Sequence, residues 1–465
     1  MHLEMKKPWT IEKVRLNLQL ASVALLLVVA LLASTLLSRP SRAKLSYAKE
    51  GRQFDKTMEV SKEKFLEVPH IVWGLNNQKI AIARAALTAR YLNRTLIAPT
   101  LSSSVFINSS DAMPFTNLFS IPSFNHRCEG FVKIIDTPSV SARESNLDVA
   151  MVMLGSGRKW TTEKDKQHLR ALTSDGYEGV AIIKMVGRNP FLWPDHWPVQ
   201  DYASVLECLI LTDSLQSKVD RVVRKLRRAS SEIAQPLQGN GTANRSATDL
   251  KPGYVAVHMR VERDWRLHCR HIEDRALRMT KTRPHICASK EEIVRRVSVI
   301  PQLPKPAVVY LAMADAFLED TNIMQGWGED MVPFEKKKLG VKELYQKLPY
   351  IMQSAIDFEI CKLADVFAGN SFSTFSSLVV MARTMKMKRR GVLNGCGTPM
   401  PSFAYNIGGP RPWVTNMSEP TLEIISYGSD KVGCLQPHAK TQRRAALGSQ
   451  AYKKQTRPRL LHFEV

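Results

Sequence analysis

The chain predicts an α/β protein made of two successive strand–helix–strand halves that follow an N-terminal apolar span. Three observations carry that expectation. Short β-branched runs such as Tyr254-Val255-Ala256-Val257 alternate with longer segments of helical period. The alternation stops in residues 235–252, rich in Gly, Asn, Ser and Thr, and then restarts. At 465 residues, 44% hydrophobic and 23% charged, the chain has ordinary globular composition and length for two or three domains.

Taken in order, residues 1–15 read as a cytosolic tail and 16–37 as a signal anchor. Residues 18–37 hold one strongly polar member, Gln19; at ~1.5 Å per residue such a helix crosses the ~30 Å hydrocarbon core. No small-residue cleavage site precedes Arg39-Pro40, which argues against a removable signal. The polar stretch 38–65 is a stem. In a first domain, 66–245, strands are expected at 68–73, 95–98 and 179–186. A turn is expected at 74–77, and helices at 78–92 and 206–228. The second domain, 250–435, has strands expected at 254–257, 307–313, 366–369 and 391–393. Its expected helices are 291–298, 354–364 and 374–386, and a basic tail, 436–465, follows.

The formal charge of +23 calls for an acidic partner: nucleic acid, anionic membrane or a phosphate-bearing ligand. Topology selects among these. Basic residues flank the span on both sides, so the positive-inside rule barely decides its orientation. However, five Asn-x-Ser/Thr sequons, at Asn93, Asn108, Asn240, Asn244 and Asn416, all follow the span, as do all seven cysteines. They favour a lumenal body on a single-pass type II anchor, in the Golgi or endoplasmic reticulum membrane, and make nucleic acid an unsuitable partner. Cys269 with Cys287 and Cys396 with Cys434 are short-loop disulfide candidates, and Cys361 is the candidate buried free thiol.

Three constellations carry chemistry. The strand 254–257 ends in His258-Met259-Arg260-Val261-Glu262-Arg263-Asp264-Trp265. Ligands bind beyond the carboxyl ends of strands in open α/β sheets, and the period of two puts His258 and Arg260 on one side. A guanidinium offers phosphate a planar fork of donors. The second, Asp365 to Ser377, runs from a short strand through Gly369-Asn370-Ser371-Phe372-Ser373 into a helix, whose free N–H groups favour an anion. The third, Gly74-Leu75-Asn76-Asn77-Gln78, pairs a permissive turn with amides suited to hydroxyls. There is no Asp-x-Asp, Walker A or G-x-G-x-x-G sequence, so the usual carboxylate pair for a divalent cation is missing.

In this order and spacing the three stretches, 74–99, 257–265 and 357–377, resemble the GDP-fucose protein O-fucosyltransferases and their plant-type branch. The resemblance implies a GT-B fold, two Rossmann-like domains facing a cleft, with the donor held mainly by the second. It implies inverting, metal-independent transfer from a GDP-sugar, with no cofactor, to a hydroxyl of a protein or glycan acceptor. By residue, it implies that Arg260 binds the diphosphate, with His258 near the nucleotide and Asp357 reading guanine. Ser373, Thr374 and Phe375 contact phosphate and base, and Asn77 lies near the reacting centre, beside Gly74 and Asn76. The match leaves the general base open: Glu262 is the candidate, yet Glu262 and Asp264 serve equally as ion-pair partners of Arg260. Rival readings are a UDP-sugar donor, as in related rhamnosyltransferases, and a catalytically silent lumenal binding protein.

Overall fold

The computed structural model describes residues 64–104, 112–137, 149–155, 159–234, 253–283, 285–300, 303, 305–314, 321–391, 400–406, 412–415, 417, 422 and 425–426. The expected cytosolic tail, apolar span, basic tail and Cys396–Cys434 pair lie outside these residues, as do four of the five sequon asparagines. Among the described residues no helix is long and apolar enough to cross a membrane.

The first half runs β1 (Phe65–Glu67), α1 (Leu75–Tyr91), β2 (Thr95–Ile97), β3 (Leu101–Ser102), β4 (Ala112–Met113), α2 (Ile121–Arg127), β5 (Ile134–Ile135), β6 (Val149–Leu154), α3 (Thr162–Ala171), β7 (Ile182–Gly187), α4 (Val199–Cys208) and α5 (Asp213–Ala234). The second runs β8 (Tyr254–His258), α6 (Arg263–Thr280), α7 (Lys290–Ser298), β9 (Ala307–Ala312), β10 (Met331–Phe334), α8 (Lys342–Gln346), α9 (Tyr350–Leu363), β11 (Val366–Gly369), α10 (Thr374–Arg389) and β12 (Ser402–Ala404). Two five-stranded sheets result, ordered β5-β2-β1-β7-β6 and β10-β9-β8-β11-β12, every pairing parallel.

Those orders decide where a ligand belongs. From β8 the chain first builds outward through β9 and β10, then crosses back to lay β11 on the other side. The connections therefore diverge between the carboxyl ends of β8 and β11, leaving a crevice there. In the first sheet the same divergence falls between β1 and β7. Each sequence constellation sits at one of these two switch points. Strands β8, β9 and β11 are buried throughout, as continuous apolar runs must be in a parallel sheet covered on both faces.

Several expectations shift. The strand expected at 68–73 lies instead at Phe65–Glu67, because Pro69 cannot donate to a ladder; only Ile71 bridges, to Leu101. The turn expected at 74–77 is the start of α1, with Gly74 as its N-cap. The helix expected over 206–228 is two helices broken at Leu209, where the chain turns to pair Leu211 with Phe119. The second of them, α5, packs on β8, β9 and α9, burying Leu215, Val219, Val222 and Leu226 along one stripe. Beyond β8, Glu262 is the N-cap of α6 and Asp264 lies in its first turn. Gly391, expected to open a strand, is in a turn at φ 76°, and residues 392–393 lie outside the described set.

Cys269 bonds Cys287, and Cys361 is a buried free thiol, both as expected. Cys128 bonds Cys208 across 80 residues, a pairing that spacing could not assign. Arg383, 1% exposed, donates to Ser402 Oγ at 2.9 Å and to the Asp365, Met400 and Pro401 carbonyls at 3.1 Å each. It thereby ties β12 to the turn before β11. Replacing Arg383→Met strands those acceptors, and chemical denaturation should show a loss of about 3 kcal/mol.

Candidate functional site

The crevice between β8 and β11 is fastened by one hydroxyl. Ser376 Oγ lies 2.9 Å from His258 Nδ1 and accepts the Asn370 N–H at 3.1 Å. Both strand ends thus meet on the second residue past Thr374, where α10 begins. Gly369 is required for that approach, since a Cβ there would fall 2.4 Å from Ser376 Oγ. The rest of the turn is equally determined. The Asn370 amide donates to the Ile286 carbonyl and accepts the Phe372 N–H, each at 3.0 Å, while Ser371 N–H donates to Asn406 Oδ1 at 2.8 Å. Ser373, 6% exposed, caps α10 without a side-chain bond to the helix, and no acidic residue stands in the first turn. The helix N-terminus therefore keeps its donors for something else.

His258 is 7% exposed, and its ring stacks on Phe375 at 4.3 Å between centroids. Burial, reinforced by the Arg260 charge, pushes its pKa well below the usual value, so it is neutral at physiological pH. Arg260 lies in the bend after β8, over the Trp265 ring at 5.5 Å, and pairs with Glu262 at 2.9 Å and Asp264 at 3.2 Å. Burial disfavours its charge, but the two carboxylates outweigh this and raise its pKa. Burial also raises Glu262 above the ordinary carboxylate range, against the pull of Arg260. Glu262 and Asp264 thus hold the guanidinium from two sides.

Asp357, on α9 next to Phe358, is 6% exposed, and both its oxygens have protein partners. Tyr310 donates at 2.7 Å and Lys336 Nζ stands at 3.1 Å, while burial raises its pKa. The next residue, Phe358, touches Phe375 edge-on at 5.7 Å.

The first constellation is polar and unsatisfied. Gly74 caps α1 with no side-chain bond, and Trp73 before it is held at φ 84°, a left-handed conformation rare for a bulky residue. Gln78 Nε2 pins that turn through the Trp73 carbonyl at 2.7 Å and the Ser102 carbonyl at 3.0 Å. Yet Asn76 Oδ1, Asn77 Oδ1 and Gln78 Oε1 are buried without a partner, as are Trp73 Nε1 and His70 Nε2. Five of the nine such atoms among the described residues fall within this segment, a concentration typical of a site that awaits a ligand. Orphaned amide oxygens accept from hydroxyls, the groups a sugar offers.

Contact joins the three constellations. Lys79, one turn beyond Asn76, places its amine 3.4 Å from the Phe358 ring centroid; Phe358 touches Phe375, and Phe375 stacks on His258. Sequence reasoning did not single out Lys79, Lys336, Tyr310 or Asn406 as site residues. None carried a local signal: α1 also buries Asn76, Gln78, Arg84 and Thr88, so one more polar residue there does not stand out. Gly369→Ala should disrupt the turn: its Cβ overlap with Ser376 predicts a fold retained at lower melting temperature, by roughly 1–3 kcal/mol, with ligand affinity at this crevice lost.

Over residues 68–386 the sequence matches the GDP-fucose protein O-fucosyltransferase family. O-fucosyltransferase 23 of Arabidopsis thaliana is 46% identical over 389 residues, covering 80% of this chain and 84% of that protein. O-fucosyltransferase 24 of the same plant is 24% identical over 353 residues, covering 70% of this chain and 55% of that protein. The crystal structure of POFUT1 in complex with GDP aligns with 74% of this chain and 99% of its own, at 16% identity and a TM-score of 0.45. The extent of the family match and the first plant relative decide the assignment: the chain belongs to the GDP-fucose protein O-fucosyltransferase family and is a glycosyltransferase.

Proposed function

We propose that the protein transfers fucose from GDP-fucose to a hydroxyl of a protein or glycan acceptor, with inversion and without a metal. The two halves act as the facing Rossmann-like domains of a GT-B enzyme. A type II anchor would hold the body in the lumen of the Golgi or endoplasmic reticulum. The observation that carries the reading is the meeting of His258, Phe375 and Ser376, which joins the end of β8, two residues before Arg260, to the first turn of α10.

The chemistry follows from those parts. The acceptor oxygen forms a bond to the anomeric carbon as the bond from that carbon to the GDP oxygen breaks; the electron pair leaves with the diphosphate, and the hydroxyl proton passes to a general base, for which Glu262 is the candidate. Charge grows on phosphate oxygens, where Arg260 and the α10 N–H groups stabilise it in the transition state more than in the ground state. A guanidinium held by Glu262 and Asp264 is already oriented, so little reorganisation accompanies the step. On the first half, Gly74, Asn76 and Asn77 would receive hydroxyls of the sugar or acceptor near the reacting carbon. Ser373, Thr374 and Phe375 would line the phosphate and base. Asp357 would accept from guanine with lone pairs left over from Tyr310 and Lys336.

A second reading, transfer from a UDP-deoxysugar, draws on that same engagement of Asp357. Donor-hydrolysis screening with GDP-fucose, other GDP-sugars and UDP-rhamnose separates the two. Turnover of GDP-fucose alone, unchanged by EDTA, is the expected result; turnover of a UDP-sugar in its place sinks the first reading. Arg260→Ala should lower turnover about 10²–10³-fold, as removal of one transition-state donor does. Glu262→Gln distinguishes the roles of that carboxylate: if it is the general base, its loss removes the acidic limb of the pH profile of kcat, whereas if it only orients Arg260, kcat falls and that limb stays.

A further inference from the structure

Lys79 is the one lysine on the buried seam of α1, 5% exposed, and it meets an aromatic face. The geometry is specific. Its amine stands 3.4 Å from the Phe358 centroid, inside the range for a cation–π contact. Phe358 belongs to α9 of the second half, and its ring edge bears on Phe375 at 5.7 Å. Phe375 in turn stacks on His258, which Ser376 holds at the mouth of the crevice. Thus α1 of the first half, one turn past Asn76, presses a titratable group against the layer beneath the proposed nucleotide site.

We propose that Lys79 is a positioning residue: its ammonium, seated on Phe358, clamps α1 onto the Phe358–Phe375–His258 stack, so that donor affinity depends on whether Lys79 carries its proton. The inference rests on the donor reading above. Two charged groups act on the amine, Glu359, which favours the charged form, and Lys362, which opposes it; both belong to α9. Burial is the larger influence and pulls its pKa down to about 7. The clamp is therefore fastened in mildly acidic solution and released in mildly alkaline solution. A cation attracts the ring quadrupole and the neutral amine does not.

The test uses the full chain and GDP binding by calorimetry from pH 6 to 8.5. Three proteins are compared, so that titration of GDP itself cancels. Wild type should weaken roughly 5-fold across a midpoint near 7, the loss of one cation–π contact. Lys79→Arg, always charged, should stay tight at both ends. Lys79→Met, never charged, should be weak at both ends and lack the step. A step of equal size in Lys79→Met overturns the inference, as does a flat wild-type profile. GDP binding that is strong but independent of pH removes only Lys79, whereas no GDP binding by wild type at any pH removes the donor reading with it.

Thermal melting supplies a readout that needs no ligand. Folded Lys79 binds its proton more weakly than the unfolded residue, so its charge destabilises the fold fully below about pH 7. That cost fades as pH rises toward the ordinary lysine value of 10.5. Lys79→Met should melt higher than wild type at pH 6, with the gap closing as pH rises toward 10. A pH-independent gap overturns the inference, because the buried amine would then not titrate. If Lys79→Met fails to fold, the Lys79→Arg and wild-type binding curves still decide: they must coincide below pH 7 and separate above it.

Discussion

The β8–β11 ladder sets the spacing of the two strands, and beyond its last pair the Ser376 hydroxyl joins their ends. At the β8–β11 switch point the chain leaves in opposite directions, so no continuous backbone ties His258 to Asn370. One hydroxyl bridges them, reaching the His258 ring and the Asn370 N–H together. The approach works because Gly369 has no Cβ. Everything proposed for the donor depends on that junction: Arg260 emerges two residues after His258, and the free end of α10 begins two residues before Ser376.

Electrostatics at the junction are arranged so that one charge survives burial and another does not form. Arg260 keeps its charge because two carboxylates stand beside it, and those carboxylates come from the helix that starts immediately after the strand. His258 has no carboxylate partner, and burial, reinforced by the Arg260 charge, keeps it neutral. The site thus fixes one guanidinium fork between two carboxylates, in a chain whose net charge is +23. Bulk charge and site charge are separate facts.

Where α1 meets α9 and α10, the seam between the halves is a layer of packed rings, while Arg389 with Glu207 and Lys225 with the Leu339 and Gly340 carbonyls tie the halves elsewhere. Phe358, Phe375 and His258 transmit position because close-packed rings cannot slide independently. Placing a lysine on that layer costs stability, and a purely apolar side chain at 79 would pack there without the cost. The amides of Asn76 and Asn77 are unsatisfied on the same helix. One short segment therefore combines a strained Trp73, orphaned acceptors and a buried amine, the kind of local conflict that functional sites retain.

Much of this was legible in the sequence by itself. Buried parallel strands announce themselves as unbroken apolar runs, so Tyr254 to Val257 and Val366 to Gly369 were assigned almost to the residue. The strand before α1 was misplaced because Pro69 and Trp73 lie in an apolar run that cannot form a ladder. The helix broken at Leu209 looked continuous, because the break is set by a bridge to Phe119 and a disulfide to Cys128, both far away in sequence. Residue type and local spacing determined which segments are strands and helices, that Arg260 stands at a strand end, and that Ser373 opens a helix. Tertiary structure alone decided that Ser376 joins the two strand ends, that Asp357 is already held by Tyr310 and Lys336, and that Lys79 lies on Phe358. Those contacts span tens to hundreds of residues, and periodicity carries no information beyond a few turns of its own element.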